Sequence, residues 1–258
     1  MDANKHIGAI TMKKNRNSLI IIFLTHLTCL FFGCANEDSR VLDVGTAEEQ
    51  FKLGQKMLSN KNYQQAFLLF EKSAEKGYDK AQNDLGSMYL EGIFIEKDLN
   101  KAFRLFSMAA EQGNPHSKYN LGNMYLTGIP IERDIQKAKE LFFQSAEKGN
   151  AYAQNQLGCM YYNGTEIIKD YHKAFKYFSM SAKQGDLTAF KNLGYLYAKK
   201  DFEKKDLIKS YSCFSIAKRK GENFDQEDLN KFEEVKKYLN TEQLKEAEKE
   251  IEKLLSHQ

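Results

Sequence analysis

The sequence predicts an all-α protein: an α-solenoid of about five antiparallel helix pairs, followed by capping helices. Only two of its 258 residues are prolines, which interrupt helices, and 42% are hydrophobic, enough to build a core. Four segments that share a Leu-Gly pair begin 36 residues apart, at positions 83, 119, 155 and 191. A repeat of this length is typical of stacked architectures, because one such unit cannot bury its apolar face alone.

The excess positive charge of the chain belongs to its N-terminal segment. Four of the 38 basic residues and one of the 35 acidic residues lie in residues 1–33, which leaves 34 of each in the rest. A balanced domain does not favour a nucleic-acid partner. Within residues 1–33, a basic run at 13–17 precedes an apolar run that is shorter than a spanning helix requires. We therefore predict a signal peptide, with Met12 as an alternative start.

The end of the apolar run resembles a bacterial lipoprotein cleavage box. In that family a small residue precedes the cysteine that becomes lipidated; Gly33 and Cys34 match this pattern, and Phe32 replaces a residue that is usually small. The resemblance implies a lipid on Cys34, and an ordinary cleaved signal or an uncleaved anchor is the alternative. We expect an exported protein in the periplasm, the outer membrane or the cell surface, with residues 34–46 as a linker.

Residues 47–222 divide into five units, and each unit is predicted to form two helices. In the first helix Ala81, Leu85 and Tyr89 make one apolar stripe at helical spacing. A glycine stands inside this helix in each 36-residue unit, although it costs about 1 kcal/mol relative to alanine. We infer that the second helix packs too close there for a Cβ atom. These glycines are Gly86, Gly122, Gly158 and Gly194.

Turn and cap residues mark the ends of the helices. The glycines expected to end the first helix are Gly92, Gly128 and Gly164, and the aspartates expected to cap the second are Asp98, Asp134, Asp170 and Asp206. The last unit has Lys200 in place of the glycine, so its turn must differ. Gly54 of the first unit lies 32 residues before Gly86, so the loop between its helices must be four residues shorter.

The pattern A-x-x-x-L-G-x-x-Y-x-x-G, followed by D-x-x-K-A and A-E-x-G, resembles the Sel-1-like repeat, a relative of the tetratricopeptide repeat. The resemblance covers residues 47–222. It implies a curved stack with the first helices on the concave side. It also implies roles as adaptors in envelope complexes or signalling, or as factors of pathogens that meet host proteins. The family often has a tryptophan in the second helix, where this chain has Leu105, Leu141, Tyr177 and Cys213.

Residues 223–258 leave the repeat and are predicted to form two capping helices, the second N-capped by Thr241. An apolar stripe on the second helix is expected to cover the last repeat, and dimerisation through the same stripe is the alternative. The stripe consists of Leu244, Ala247, Ile251, Leu254 and Leu255.

The sequence contains no convincing catalytic motif, so we expect no enzyme activity, no cofactor and no metal site. Ser-x-x-Lys, which begins penicillin-recognising active sites, occurs at Ser73, Ser145 and Ser215, but its partner motifs Ser-Asp-Asn and Lys-Thr-Gly do not. We interpret these serines as small residues at helix contacts. Cys159 and Cys213 are interpreted as small apolar packing residues, with a disulfide between them as the alternative.

The candidate partner-binding surface lies opposite the apolar stripe of the first helices, and we call it the first-helix face. Amide and tyrosine side chains there can hydrogen-bond to an extended peptide or a partner helix and stack on it. One row contains Asn83, Tyr119, Asn155 and Lys191, and a second contains Ser87, Asn123, Cys159 and Tyr195. The predicted partner-binding residues are Asn83, Ser87, Tyr119, Asn123, Asn155 and Tyr195.

The predicted function is a non-catalytic scaffold, tethered at the bacterial cell envelope, that binds a protein or peptide, with host interaction among its roles. An envelope hydrolase, a penicillin-binding activity or a peptidoglycan-binding module is the alternative. The identity of the partner and the oligomeric state stay open.

Radiolabelled palmitate is expected to enter the wild-type chain in growing bacteria and not the Cys34→Ser variant, because lipid attachment begins at this thiol. Gel autoradiography of the immunoprecipitated chains measures the difference. Equal labelling of the two chains would contradict the prediction.

Overall fold

The computed structural model describes residues 45–164 and 167–256, and these residues form twelve α-helices and no strand. The predicted all-α class is confirmed. The predicted signal peptide and Cys34 lie outside the described residues. Among the described helices, none combines the length and the apolar character needed to cross a membrane. The chain divides into two compact units, of which the first ends at Ala81 and the second begins at Gln82.

The first unit is a helix hairpin. Helix α1 (Ala47–Ser59) is joined to α2 (Tyr63–Glu75) by three residues, whereas seven residues join the helices of the next pair, so the predicted shorter loop is confirmed. Helix α1 begins with a capping box: the Thr46 hydroxyl accepts from the Glu49 N–H at 3.2 Å, and the Glu49 carboxylate accepts from the Thr46 N–H at 2.7 Å.

The second unit continues the repeat as a stack of helix pairs. Its helices are α3 (Asp79–Glu91, which begins in the first unit), α4 (Leu99–Glu111), α5 (Pro115–Thr127), α6 (Ile135–Glu147), α7 (Ala151–Asn163), α8 (Tyr171–Ala182), α9 (Leu187–Tyr197) and α10 (Leu207–Arg219). From α4 to α10 each helix packs on the next one. Two further helices, α11 (Gln226–Lys237) and α12 (Thr241–Ser256), follow and both pack on α10.

An aspartate joins the two helices of each pair in the second unit. The Asp170 carboxylate accepts from the Lys173 N–H at 2.9 Å and so caps α8, while its own N–H donates to the Tyr161 carbonyl at the end of α7 at 3.0 Å. Asp98, Asp134 and Asp206 make the equivalent bonds. Gly128 and Gly164 end their helices in the left-handed conformation, as predicted.

The glycine inside each first helix faces a phenylalanine ring of the second helix. A Cβ atom on Gly158 would lie 2.5 Å from two ring carbons of Phe178, a distance that Cβ atoms essentially never show. The same pairing recurs at Gly54 and Phe70, Gly86 and Phe106, Gly122 and Phe142, and Gly194 and Phe214. Each of the five rings is at most 1% exposed. The close approach predicted at four glycines is therefore confirmed, and Gly54 of the first repeat makes the same contact.

The C-terminal helices cover the last repeat. Ala247 and Ile251 of α12 are fully buried against the core that includes α10, and Arg219 donates two hydrogen bonds to the Glu248 carboxylate at 2.7 and 2.8 Å. Leu254, which the sequence placed in the same stripe, remains 36% exposed.

The predicted N-cap at Thr241 is wrong by one residue. The Asn240 side chain accepts from the Gln243 N–H at 2.9 Å, and the Gln243 side chain accepts from the Asn240 N–H at 3.0 Å. Because Asn240 can close this reciprocal box with the glutamine three residues later, it takes the cap and Thr241 becomes the first helical residue.

The last repeat turns differently, as Lys200 predicted. Helix α9 ends at Tyr197, and Phe202 in the following turn is only 2% exposed. The Phe202 ring lies 5.9 Å from that of Phe175 and 6.3 Å from that of Tyr197. A buried aromatic residue thus holds this turn, in which no left-handed glycine is present.

Gly158→Ala is expected to lower the free energy of unfolding by about 1–2 kcal/mol. At so short a distance overpacking costs near the top of its range of about 1–3 kcal/mol, which exceeds the ~1 kcal/mol that alanine contributes as a helix former. Urea denaturation measures the change. In a Phe178→Leu background, where the ring is absent, the same substitution is expected to cost less. An equal cost in both backgrounds would contradict the proposed contact.

Candidate functional site on the first helices

The first-helix face is described within the second unit, where its eight residues lie on α3, α5, α7 and α9. All eight are partly buried. They differ in how much of their hydrogen-bonding capacity is used inside the chain, and this difference decides which of them remain available to a partner.

Two of the predicted asparagines connect neighbouring repeats. The Asn83 side-chain oxygen accepts from the Ser117 hydroxyl at 2.9 Å and from the Asn120 amide at 3.2 Å. The Asn155 oxygen accepts from the Asn192 amide at 2.9 Å. Asn120 and Asn192 occupy the same position of their repeats, so this amide contact is a repeated feature of the stack, and it uses the acceptors of Asn83 and Asn155.

Lys191 and Tyr195 are held by Asp228, a residue of α11 that the sequence did not single out. The Asp228 carboxylate accepts from the Lys191 ammonium at 2.8 Å and from the Tyr195 hydroxyl at 2.9 Å. Asp228 is only 5% exposed and also accepts from the Asp225 N–H at 3.2 Å, which closes the capping box of α11. The two predicted face residues therefore attach α11 to the last repeat.

The electrostatics of this cluster favour the ionised carboxylate. Burial alone would raise the pKa of Asp228, but the hydrogen bonds from Lys191, Tyr195 and the Asp225 N–H outweigh it and hold the pKa below its ordinary value of 3.8. Burial, together with the hydrogen bond to Asp228 and its negative charge, raises the pKa of Tyr195. The tyrosine therefore stays a neutral donor to the carboxylate at physiological pH.

In the middle of the face, Tyr119 forms an aromatic pair with an exposed tyrosine. The ring centroid of Tyr119 lies 5.8 Å from that of Tyr152 and 6.0 Å from that of Phe142. Tyr152, which the sequence did not select, is 60% exposed. Tyr119 thus packs between the buried ring of Phe142 in its own repeat and the exposed ring of Tyr152 in the next repeat.

A polar pocket lies beside this pair. It has a volume of about 330 Å³, and its lining includes Tyr152, His116 and Asn150. The Asn150 amide lies 3.0 Å from Nδ1 of His116.

Asn123, farther along α5, uses its side-chain amide in no hydrogen bond to another described residue. Ser87 donates its hydroxyl to the Asn83 carbonyl at 3.1 Å.

Comparison with known proteins places this geometry in a family. The Sel1 repeat pattern matches residues 50–78, 79–114, 115–150, 151–186 and 191–222. The chain belongs to the Sel1 repeat family. The family is typical of scaffolds for protein–protein interaction, as the sequence resemblance implied. No curated protein sequence matches the chain.

Solved structures share the Sel1 fold. A Sel1 repeat protein from Oxalobacter formigenes is 26% identical with a TM-score of 0.62, over 75% of this chain and 89% of that one. A protective antigen of uropathogenic Escherichia coli strains is 23% identical with a TM-score of 0.56, over 85% and 63%. An immunity protein from Pseudomonas aeruginosa is 18% identical with a TM-score of 0.51, over 83% of each. The last two likenesses concern the fold alone.

The serines of the Ser-x-x-Lys segments lie at helix contacts of the Sel1 repeats. Ser73 donates its hydroxyl to the Ala47 carbonyl at 2.6 Å, and Ser145 donates to the Pro115 carbonyl at 2.6 Å. Each bond ties a second helix to the start of a first helix. Ser215 is 3% exposed, and its hydroxyl has no hydrogen-bond partner among the described residues.

Cys159 and Cys213 are free thiols, not joined in a disulfide. Cys213 belongs to the buried core and Cys159 packs against it, as the interpretation of packing residues predicted. Burial raises the pKa of Cys159 to about 11 and that of Cys213 to about 12, which keeps both protonated at neutral pH. The described residues contain no group of three or more histidine, cysteine or acidic side chains placed to hold a metal ion.

Asp228→Asn is expected to lower the free energy of unfolding at pH 7 by about 1–3 kcal/mol, because it removes the closer of the two carboxylates beside the largely buried Lys191 ammonium and leaves only Glu222, at 3.8 Å. Urea denaturation measures the loss. The matched control is Glu234→Gln on the same helix: its ion pair with Lys231 is exposed, so the effect should stay within about 0.5 kcal/mol. Equal effects of the two substitutions would contradict the assignment.

The difference in stability between the wild-type chain and Asp228→Asn is expected to depend on pH. Since the pKa of Asp228 is lower in the folded chain than its ordinary value of 3.8, its stabilisation is complete above that value. It is lost as the pH falls through the pKa of the folded state. The difference in unfolding free energy between wild type and Asp228→Asn should therefore shrink below about pH 4.

Proposed function

We propose that this Sel1 repeat protein is a non-catalytic scaffold that binds a protein or peptide on the first-helix face of its second unit. The observation that carries the proposal is the aromatic pair of Tyr119 and Tyr152. A tyrosine that is 60% exposed and rests on a second, partly buried ring offers a large apolar contact area with little conformational entropy to lose.

The groups around the pair suit a polypeptide partner. Asn123 can both donate to and accept from a peptide backbone, because its amide is not used by another described residue. His116 and Asn150 border the pocket of about 330 Å³ beside Tyr152. Aromatic anchors surrounded by amide groups are typical of protein-recognition surfaces. Asn83, Asn155 and Tyr195 contribute mainly by holding the repeats in place, since their side-chain oxygens form hydrogen bonds inside the chain.

Two observations support the non-catalytic part of the proposal. Ser73 and Ser145 donate to backbone carbonyls, so their hydroxyls are engaged in helix packing. The thiols of Cys159 and Cys213 are protonated at neutral pH, which leaves them poor nucleophiles. An activated nucleophile requires a neighbouring base or a lowered pKa, whereas the pKa of both thiols is raised.

We also propose that the protein works outside the cytoplasm, tethered through lipid on Cys34. The basic run, the short apolar run and the Gly33-Cys34 pair of the sequence support this location. A tethered scaffold at the envelope would meet other envelope proteins or, at the cell surface, proteins of a host.

A photo-crosslinking amino acid tests the proposed surface. Benzoylphenylalanine in place of Tyr152 is expected to give a discrete covalent adduct with a partner in the producing cell, identified by mass spectrometry. The matched control replaces Met108, which is 48% exposed but lies on the second helix α4, and should give no such adduct. The same adduct from both positions, or none from Tyr152, would contradict the proposal.

A further inference from the structure

A second pocket lies away from the first-helix face, between α8, α9, α10 and α12. It has a volume of about 340 Å³ and includes none of the eight residues of that face. Its apolar lining includes Phe190, Leu193, Tyr197, Cys213 and Leu254. Leu254, at 36% exposure, stands at the rim, whereas Phe190 and Leu193 are each 6% exposed and form part of the wall.

Comparison with the preceding repeat explains why the pocket exists. One repeat earlier, three aromatic rings fill the equivalent position: Tyr177 stacks on Tyr161 with ring centroids 5.8 Å apart, and Phe143 meets both edge-on at 6.3 and 6.5 Å. Thirty-six residues later these become Cys213, Tyr197 and Ser179, and all three line the pocket. Two of the three rings are replaced by small side chains, and only the tyrosine remains.

We propose that this pocket binds an aromatic side chain of a partner peptide, which takes the position that Tyr177 takes against Tyr161. Tyr197 is the ring left to stack on, since the residue equivalent to Tyr177 is Cys213; Tyr197 also meets Phe175 edge-on at 5.7 Å and Phe202 at 6.3 Å. Around it, Phe190, Leu193 and Leu254 supply the apolar walls that an aromatic ring buries against. This site goes beyond the proposed scaffold function and does not depend on the first-helix face.

The charged side chains at the rim of the pocket indicate which residues of the peptide would flank its aromatic residue. Lys183 and Lys209 line the pocket and are exposed, against one acidic group, Glu250. Lys183 forms no ion pair with another described residue. The Lys209 ammonium lies 3.4 Å from the Asp206 carboxylate and 5.9 Å from the centroid of the Tyr197 ring. Because Lys183 is exposed and Lys209 is already paired with Asp206, Lys183 is the cation that can pair with an acidic residue flanking the aromatic one.

Refilling the pocket tests the proposal. The probe is a fluorescein-labelled peptide Gly-Ser-Asp-Phe-Asp-Ser-Gly, titrated with the full chain and followed by fluorescence anisotropy. The double variant Ser179→Phe with Cys213→Tyr rebuilds the aromatic cluster of the preceding repeat, and we expect it to keep or raise the melting temperature and to weaken binding at least tenfold. Replacing the phenylalanine of the peptide by alanine should weaken binding by at least as much.

Two single variants test the charge preference and the location of the binding site. Lys183→Glu, a surface change, should weaken the acidic peptide several-fold, and Tyr152→Ala on the first-helix face should leave its affinity unchanged. If the double variant does not fold, methyl NMR of the wild-type chain decides: the peptide should shift the Leu193 and Leu254 signals. The proposal would be overturned if the peptide did not bind wild type, or if the refilled variant or the alanine peptide bound equally well. It would also be overturned if the methyl signals of these two leucines did not shift.

Discussion

In each of the five repeats a phenylalanine ring of the second helix lies against the bare backbone of a glycine in the first helix. Hydrogen is the only side chain that leaves room for the ring, since a Cβ atom would approach it to 2.5–2.8 Å. The contact sets how close the two helices lie and leaves each phenylalanine at most 1% exposed. The aspartate caps and the helix-ending glycines then join helices whose separation this contact has set.

Neighbouring repeats are held by different means, and here polar side chains matter as much as apolar ones. Asn120 and Asn192 donate to asparagines of the preceding first helices. At the C-terminal end the stack has no further repeat to bond to, and α11 supplies Asp228 instead, which binds both Lys191 and Tyr195. The repeat position of Lys191 thus connects helices at the end of the stack, whereas in its middle the same position holds Tyr119, which packs beside the exposed Tyr152.

Much of this fold could be predicted because its determinants are local and repeated. The spacing of the glycines identified the helix pairs, and Lys200 correctly marked the turn that Phe202 now fills. Thr241 was mistaken for a cap because both it and Asn240 are good N-cap residues, and only the reciprocal bond with Gln243 distinguishes them. The sequence did contain a sign of this reciprocal bond, because a glutamine follows the asparagine by three residues.

The candidate site was less predictable, because exposure and partnership depend on the next repeat. Asn83 and Tyr195 lie on the predicted face, but whether an amide or a hydroxyl is free depends on residues 33–37 positions away, such as Asn120 and Asp228. Tyr152 lies at the repeat position of His116 and Thr188, and its exposure followed only from the structure. The first residues to inspect in such a stack are therefore those that differ from their equivalents one repeat before.

The replacement of two rings by Ser179 and Cys213 illustrates how such a chain can diversify. In a stack whose stability is close to a sum over units and their nearest neighbours, a change in one unit is felt mainly by that unit. Duplication of a repeat gives the chain several copies of one well-packed helix pair. One copy can then accumulate substitutions, exchange large aromatic side chains for small ones and so open a pocket, while the remaining copies keep the chain folded.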